Sequence, residues 1–519
     1  MKRKLAVLLA SALFIGVFAA CGGDGTDAPS ASGGSSEGPV SHDLVIGTTQ
    51  QGGSLDPCGS TNLIGRRLVY DSLFVQDPDS GEIVGQLAES WEYVDDCTLK
   101  VTLKEGITFS NGEPLTPEDV LYSYERYITT NSQSSSYFTV YDFENSYAED
   151  DRTFYLKTFE PYGPGLSNLL NREIVCKSWC EGITSEEIWW DGPVGSGPYK
   201  VVENVSGSHT TYALRDDYWD TSDIPEAETI TVKTYSEALT MNIDFENHDL
   251  DACFLMDETD ARRYLDSPVE GIAMDIRPIY DTYMLCLPEY VEAFEDVRVR
   301  QAIAYALDLN AISEAGMGCL ALPATSIIPN GVNYHVDVGT YEYNPDKAKE
   351  LLDAAGYDYS QSFDIVLVTN AQNQRMCETI QFYLNAVGIN MTISSYDLPT
   401  AIGYFMKGET DILLKETTEG APDLEPNRIL DTMLETSTNL PVRITDPEFS
   451  SYLNGALNTI DADERAAFYQ QAQEWMYENC RAIPLCDKGA AYAYHTDVLQ
   501  DFSPLSISFP NLRYVHFVA

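Results

Sequence analysis

The chain has 519 residues, with 31 Lys and Arg against 81 Asp and Glu, so its formal net charge is −50. Hydrophobic residues make up 44% of the chain and aromatic residues 11%, which excludes wholesale disorder and predicts a large buried core. Because nucleic-acid binding depends on Lys and Arg replacing the counterions of the phosphates, this acidity argues against a nucleic-acid partner.

The N-terminus predicts export from the cell. Basic residues at 2–4 precede an apolar run over 5–20, which is shorter than the about 20 residues that a membrane-spanning helix needs. Small residues lead directly into Cys21, and this arrangement resembles the lipobox of bacterial lipoproteins. The resemblance implies a signal peptide over 1–20, a lipid on Cys21 and a flexible linker over 21–42. The alternative is an ordinary soluble signal peptide followed by a chance cysteine.

Beyond the linker, strand-like and helix-like segments alternate to the end of the chain, which indicates an α/β protein. Residues 44–48 are predicted to form a short buried strand. Capping signals mark three helix starts, at 116–119 (Thr-Pro-Glu-Asp), at Asp296 and at 344–346 (Asn-Pro-Asp). The residues expected on the buried faces of these helices are Val120, Leu121 and Tyr124, then Val299, Ile303, Ala306 and Leu307, then Ala348, Leu351, Leu352 and Ala355.

Ten cysteines follow Cys21. They are Cys58, Cys97, Cys176, Cys180, Cys253, Cys286, Cys319, Cys377, Cys480 and Cys486. An even number in an exported chain permits complete pairing, and the close pairs Cys176/Cys180 and Cys480/Cys486 are the easiest local bridges. The six histidines are scattered and do not form the short-spaced pairs of a zinc site. We therefore expect structural disulfides or buried thiols, and no metal.

Catalytic motifs are missing from the sequence. It contains no Gly-Lys pair for a phosphate-binding loop and no His-Glu-x-x-His for a zinc hydrolase. A literal G-x-S-x-G occurs at 34–38, but it lies in the linker, whereas a nucleophile elbow connects a strand to a helix. The many adjacent carboxylates are typical of solvated surface turns, and the acidic loop at 77–81 lacks the ligand series of an EF-hand. The sequence thus predicts no enzyme and no cofactor.

Eight segments, in chain order, carry a family resemblance. They lie at 54–57, 69–73, 86–92, 103–120, 194–199, 217–219, 296–303 and 348–357. Together they resemble the extracellular solute-binding proteins of family 5, the peptide, dipeptide and nickel group of ABC importers. Within these segments Leu87, Trp91 and Phe109 are expected to pack in the core and not to contact a ligand.

The resemblance implies a two-lobed, periplasmic-binding-protein-like α/β fold of type II, with an additional domain, that closes on its ligand by a hinge. The implied boundaries are 43–78 for the first part of lobe I, 79–196 for the added domain, 197–295 for the second part of lobe I, 296–487 for lobe II and 488–519 for the third part of lobe I.

Ligand-binding residues are also implied by the resemblance. Members that bind peptides often hold the α-amine with a lobe II carboxylate, and the comparable stretch here is 420–426 (Gly-Ala-Pro-Asp-Leu-Glu-Pro). Asp423 is the candidate partner for the ammonium group, because a carboxylate stabilises a cation that is costly to bury alone. Glu419 and Glu425 are the alternates.

The function implied is a lipid-anchored receptor on the outer face of the cell membrane, or in the periplasm, that works as a monomer. It captures a peptide or similar small solute and delivers it to the membrane subunits of an ABC permease. A receptor for a nickel chelate or a sugar oligomer is one alternative, and a secreted hydrolase using two carboxylates is another. The acidic body should favour cationic or amine-bearing solutes.

Overall fold

The computed structural model describes residues 42–50, 53–59, 63–77, 82–130, 132, 135–183, 192–417, 424–435, 442–502 and 512–518. The predicted signal peptide, Cys21 and nearly all of the predicted linker lie outside these residues. Within the described ranges, no helix is both long enough and apolar enough to cross a membrane.

Strands and helices alternate along the described residues, which confirms the predicted α/β class. The strands are β1 Asp43–Thr48, β2 Phe74–Gln76, β3 Ile83–Gly85, β4 Ala88–Asp95, β5 Thr98–Leu103, β6 Tyr147–Ala148, β7 Thr153–Lys157, β8 Tyr199–Val205, β9 His209–Leu214, β10 Thr229–Thr234, β11 Ala252–Met256, β12 Ile272–Cys286, β13 Ala321–Leu322, β14 Ser362–Val368, β15 Asn390–Tyr396, β16 Ile412–Glu416, β17 Ala482–His495, β18 Leu499–Asp501 and β19 His516–Phe517. The helices are α1 Leu63–Val69, α2 Pro117–Thr129, α3 Ser135–Phe138, α4 Lys177–Cys180, α5 Ala238–Glu246, α6 Glu258–Asp266, α7 Val297–Ala306, α8 Leu309–Met317, α9 Pro345–Ala355, α10 Ala371–Ala386, α11 Leu398–Lys407, α12 Asn427–Asp431, α13 Pro447–Asn458 and α14 Ala462–Asn479.

One large mixed sheet runs through the molecule. Its strand order is β15-β14-β16-β12-β17-β11-β1-β10-β9-β8, with β13 paired to β17 off this path. The chain positions of neighbouring strands are far apart, so the sheet joins segments from both halves of the sequence. The long antiparallel pair β12 and β17 lies at its centre, and each of these strands runs from one part of the sheet into the other.

A separate four-stranded sheet, in the order β4-β5-β7-β6, lies wholly between residues 88 and 157, inside the range predicted for the added domain. Its core is rich in aromatic residues from the sheet, from α2 and α3 and from the connection between β5 and α2, including Phe109, Tyr124, Phe138 and Phe154. Leu87 and Phe109 are buried and Trp91 packs against the same cluster, which confirms that these three residues are packing residues.

The predicted helix starts are correct. Thr116 and Asp119 form a capping box at the start of α2, Asp296 accepts from the Arg298 N–H before α7, and Asn344 accepts from the Lys347 N–H before α9. Each cap satisfies N–H groups that have no partner inside the helix, and this is a local requirement that local sequence can signal.

The structure pairs none of the ten described cysteines. Eight of them are buried, and Cys97 and Cys319 are partly exposed. Burial raises the pKa of the Cys286 and Cys480 thiols to about 12, so these groups stay protonated and unreactive. Of the two predicted possibilities, the structure has buried thiols. Neither close pair, Cys176/Cys180 nor Cys480/Cys486, forms the local bridge that the spacing suggested.

Several family-like segments meet at the buried carboxylate of Asp71. Its Oδ1 accepts from Arg513 Nη1 at 2.6 Å and from Gln86 Nε2 at 3.2 Å, while its Oδ2 accepts from Trp219 Nε1 at 3.0 Å. Residues that lie far apart in the chain are thereby held together around one charge. These segments therefore have a packing role, because they hold distant parts of the chain around one buried charge.

A second junction lies at the turn before β8. The Arg215 guanidinium donates to the carbonyls of Gly197 and Phe109 at 3.1 and 3.2 Å. A Cβ at Gly195 would lie 2.0 Å from the Val69 carbonyl oxygen, so only glycine permits this close approach of two backbones. The glycine cluster at this turn is therefore a packing requirement where the four-stranded sheet joins the large one.

Candidate ligand-binding cleft

The two central strands change register where they pass from one half of the large sheet to the other. Residues 272–278 of β12 pair with 489–495 of β17, and residues 282–286 pair with 482–487, with an irregularity between Pro278 and Thr282. The first half also carries β11 on β17, whereas the second carries β16 on β12. At the interruption, the two halves of the sheet meet through two strands, which is the arrangement of a hinge.

Strained backbone marks the same place. Tyr280 has a φ of 60°, a left-handed conformation that costs free energy for a residue with a Cβ. Gly331, with a φ of 96°, lies beside its ring, and a Cβ at Gly331 would lie 2.3 Å from Tyr280 Cε1. The interruption is therefore a packed and specific structure, in which glycine at 331 makes room for the tyrosine.

Charged side chains line the interruption on the β16 side. Lys488 Nζ donates to Glu416 Oε1, and the Tyr283 hydroxyl donates to Glu416 Oε2 at 3.1 Å. Asp281 Oδ2 lies 4.0 Å from the same ammonium group, and the Tyr283 ring lies 5.6 Å from it. One lysine thus stands between two carboxylates in a half-buried position, so the cluster carries a net negative charge.

Asp487, the neighbour of Lys488, is buried at the same point. Its carboxylate accepts from Thr282 Oγ1 at 2.5 Å and from the Asn330 N–H at 3.0 Å. Burial raises the pKa of Asp487 to about 6, and these two hydrogen bonds offset only part of that effect. A carboxylate between the two halves of the sheet therefore titrates within two pH units of neutrality.

The end of β16 leads into the segment that carries the predicted ligand residues. Thr417 is fixed to β12 twice, because the Thr282 N–H donates to its Oγ1 at 2.8 Å and its own N–H donates to the Thr282 carbonyl at 3.0 Å. Glu419 and Asp423 follow directly and lie outside the described residues. The chain is described again from Leu424.

Glu425, the third predicted residue, is fully buried and ion-paired. Arg465 Nη2 donates to its Oε1, and the Tyr469 hydroxyl donates to the same oxygen at 2.9 Å. The Arg465 guanidinium also lies 5.2 Å from the centre of the Tyr334 ring. Glu425 therefore joins the 424–430 stretch to α14, and its carboxylate already holds a cation.

The four-stranded-sheet region touches this same stretch. The Arg428 guanidinium lies over the Tyr137 ring, and burial lowers the pKa of Arg428 to about 8. A Cβ at Gly163 would lie 2.4 Å from the Thr459 carbonyl oxygen. The region of the four-stranded sheet is therefore packed both against the stretch that begins at Leu424 and against the C-terminal end of α13.

Sequence reasoning did not identify the charged cluster at the interruption. Lys488, Glu416 and Asp281 lie far apart in the chain, and nothing near any of them signals the contact.

The comparisons with known proteins agree with this architecture. The model of the bacterial extracellular solute-binding proteins, family 5, matches residues 82–438. A curated relative, the dipeptide-binding protein of Escherichia coli K12, is 25% identical over 451 residues, which cover 80% of this chain and 83% of the relative.

Two solved structures share the fold. The ABC transporter substrate-binding protein CtaP of Listeria monocytogenes has a TM-score of 0.80 at 22% identity, covering 92% of this chain and 99% of that one. NikA of Brucella suis, solved with Fe(III)-EDTA, has a TM-score of 0.79 at 20% identity and covers 92% of this chain and 100% of that one. The predicted two-lobed fold is thereby confirmed, and the hydrolase alternative is excluded because members of this family bind solutes for transport and are not enzymes. The chain belongs to the bacterial extracellular solute-binding proteins of family 5, the substrate-binding components of ABC transporters.

Proposed function

We propose that this protein captures a peptide, or a similar small solute with a free amino group, in the cleft at the β12–β17 interruption and delivers it to a membrane permease. The observation that carries the proposal is the fixed position of two residues that flank the candidates in the sequence. Thr417 is bonded twice to β12, and Glu425 is bonded to α14. Both lie in parts of the chain that meet at or near the β12–β17 interruption, which is where a hinge-closing receptor would contact its ligand.

Asp423 is the proposed partner of the ligand ammonium group, with Glu419 as the alternate. Glu425 is the weakest of the three candidates because Arg465 already neutralises its buried carboxylate. Its proposed role is to position the segment from its C-terminal end. A carboxylate enclosed with an ammonium group forms a charge-assisted hydrogen bond, which is stronger than one between neutral groups.

The charge of the site supports a cationic ligand group. Lys488 is shared by Glu416 and Asp281, so the nearby residues leave an excess of negative charge at the interruption. The chain as a whole carries a formal charge of −50. Both the local and the long-range fields therefore attract an amine and repel a polyanion, and the long-range part weakens as salt is added.

A binding panel tests the ligand class. Thermal unfolding and calorimetry are run with di- to octapeptides, the same peptides with acetylated amino termini, sugar oligomers and nickel chelates. We expect free-amine peptides to bind and raise the melting temperature, and their acetylated forms to bind at least tenfold more weakly. Binding of chelates or sugars in place of peptides would overturn the peptide assignment while leaving the receptor function intact.

Asp423→Asn tests the site. Loss of a charged hydrogen-bond partner costs about 1.5–3 kcal/mol, so we expect the affinity for free-amine peptides to fall by roughly 10–100-fold. Asp151→Asn, a neutralisation at an exposed position outside the cleft, is the matched control and should leave affinity unchanged. Unchanged affinity in Asp423→Asn together with a loss in Glu419→Gln would transfer the role to Glu419.

The lipid anchor and the delivery step have their own test. We propose that Cys21 is acylated and holds the protein at the outer face of the membrane, so Cys21→Ser should move the protein from the membrane fraction to the soluble fraction. Uptake of a labelled peptide by cells that carry the cognate permease should fall when Asp423 is replaced. A protein that stays in the membrane fraction after Cys21→Ser would contradict the anchor.

A further inference from the structure

Three side chains with metal-binding donors lie together at one end of the large sheet. This is the C-terminal end of β17, opposite to the end that pairs with residues 282–286 of β12. His495 is the last residue of β17, Asp497 follows in the turn to β18, and His248 lies in the turn between α5 and β11. One donor atom from each residue lies within 4.8 Å of the other two. None of the three belongs to the cleft or to a family-like segment.

The hydrogen bonding of His495 prepares it to bind a metal. Its Nε2 lies 2.8 Å from the Phe245 carbonyl oxygen, and a carbonyl can only accept, so Nε2 carries the proton. The other ring nitrogen, Nδ1, then has a free lone pair. A ring whose second nitrogen donates to a backbone carbonyl is the usual state of a metal-binding histidine, because that bond fixes both the tautomer and the orientation.

The other two donors are not engaged elsewhere. Within the described ranges, the His248 ring makes no hydrogen bond or ion pair, and neither does the Asp497 carboxylate. Both side chains are exposed, whereas His495 is buried. His248 also has a φ of 62°, a left-handed conformation that costs free energy for a residue with a Cβ. The strain is held by its N–H, which donates to the Phe245 carbonyl.

One ion can be bound once the exposed His248 ring turns out of its stack on His495, because the lone pairs of two stacked rings do not point at the same place. The two imidazole rings are stacked, with centroids 3.9 Å apart and an angle of 20° between their planes. Tetrahedral zinc with bonds of about 2.0–2.1 Å needs donors about 3.3 Å apart. The exposed ring of His248 and the exposed carboxylate of Asp497 can turn to reach this distance, while the buried His495 stays fixed.

We propose that His248, His495 and Asp497 form a binding site for one divalent transition-metal ion, of which Zn²⁺ is the reference, with water completing the coordination. Two imidazoles and one carboxylate suit zinc, nickel and copper, whereas calcium and magnesium prefer oxygen ligands. The sequence predicted no metal because the histidines are scattered. The fold brings two of them into contact from positions far apart in the chain.

Binding would tie two turns to each other. The ion would join the turn after α5 to the turn after β17, which are otherwise linked by the His495 N–H donating to the Asp251 carbonyl at 3.0 Å. Because the unfolded chain does not bring these donors together, metal binding stabilises the folded state.

Calorimetry of the purified, chelator-treated protein with ZnCl₂ tests the site. We expect one ion per chain with a dissociation constant in the micromolar range or tighter, a rise in melting temperature, and no such response to Mg²⁺ or Ca²⁺. Co²⁺ should give the visible absorption of a four-coordinate site. His248→Ala and Asp497→Asn should each weaken zinc binding at least tenfold, and the double variant should abolish it.

The matched control is His516→Ala, which removes another exposed histidine, one that pairs with Glu226 at 2.9 Å. It should bind zinc as the unmodified protein does. Melting temperatures in the presence of chelator show whether each variant is folded. Zinc binding that persists in the double variant, or that is lost equally in His516→Ala, would overturn the proposal. So would the absence of any one-to-one binding by the unmodified protein.

Discussion

Asp487 is a buried, titratable residue that lies at the β12–β17 interruption. An aspartate in an unfolded chain titrates near 3.9, whereas burial raises the pKa of Asp487 to about 6. Between these two values the folded protein holds a proton that the unfolded protein has released. The contribution of Asp487 to stability is therefore largest below pH 4 and is lost as the pH rises through 6.

Asp487→Asn tests this assignment. The amide can still accept from the Asn330 N–H and donate to Thr282, so the variant should fold. Relative to the unmodified protein, its free energy of unfolding should rise by up to about 3 kcal/mol between pH 4 and pH 7. Chemical denaturation at a series of pH values measures the difference, with Asp151→Asn as the control. A difference that does not change with pH would contradict a raised pKa.

Gly331→Ala probes the strain beside Tyr280. The new methyl group would lie 2.3 Å from the tyrosine ring on a backbone with a φ of 96°. The ring must move, so we expect the free energy of unfolding to fall by about 1–3 kcal/mol. Gly339→Ala is the control, because Gly339 has a similar φ of 86° and no atom within 4 Å of the added carbon. Equal losses in both variants would assign the whole effect to the backbone.

At the scale of elements, the helix caps could be predicted from the sequence, whereas the side-chain clusters that join distant strands could not. The Asp119 carboxylate accepts from the Thr116 N–H, and the Asn344 side chain accepts from the Lys347 N–H, so the signal and its structural result lie within three residues of each other. Lys488 meets Glu416, and His248 meets His495, only through the pairing of distant strands. No local pattern encodes such contacts, and the metal donors were accordingly missed.

The family-like segments predicted the fold from the sequence, and the structure shows that several of them meet in one place. Asp71, Gln86, Trp219 and Arg513 come from four parts of the chain and form one buried network. Removing one partner of a buried ion pair leaves an uncompensated charge, so Arg513→Ala should lower stability by about 3–5 kcal/mol. Arg152→Ala, which breaks pairs with Glu89 and Glu105 at the surface, should cost about 1 kcal/mol or less.

Denaturant melts of the two arginine variants measure these losses. The ratio between them is the informative quantity, because both variants remove the same side chain from carboxylate partners and differ mainly in burial. Comparable losses would show that the Asp71 network is solvated in the native protein. That outcome would leave the resemblance of these segments to the family without the packing explanation given above.

At the scale of the whole molecule, the fold has no disulfide bond among the ten cysteines that follow Cys21. Disulfides were one of the two possibilities that the sequence predicted for these cysteines. The buried thiols lie in all four hydrophobic clusters, including Cys58 and Cys176 beside the four-stranded sheet and Cys253 and Cys377 in the largest cluster. A buried thiol behaves as a small apolar side chain, so it adds to packing whether or not an oxidant is present. Stability should therefore not depend on redox conditions.

Counting thiols tests this directly. In Cys21→Ser, an aromatic disulfide reagent should react quickly only with Cys97 and Cys319, the two partly exposed cysteines, because burial keeps the remaining thiols protonated and inaccessible. After unfolding in guanidinium, all ten cysteines should react without prior reduction. A total of eight or fewer in the unfolded chain would reveal a disulfide, and mass spectrometry of the digested protein would identify the pair. We also expect a reductant to leave the melting temperature unchanged, because the folded protein has no disulfide bond among these ten cysteines for it to reduce.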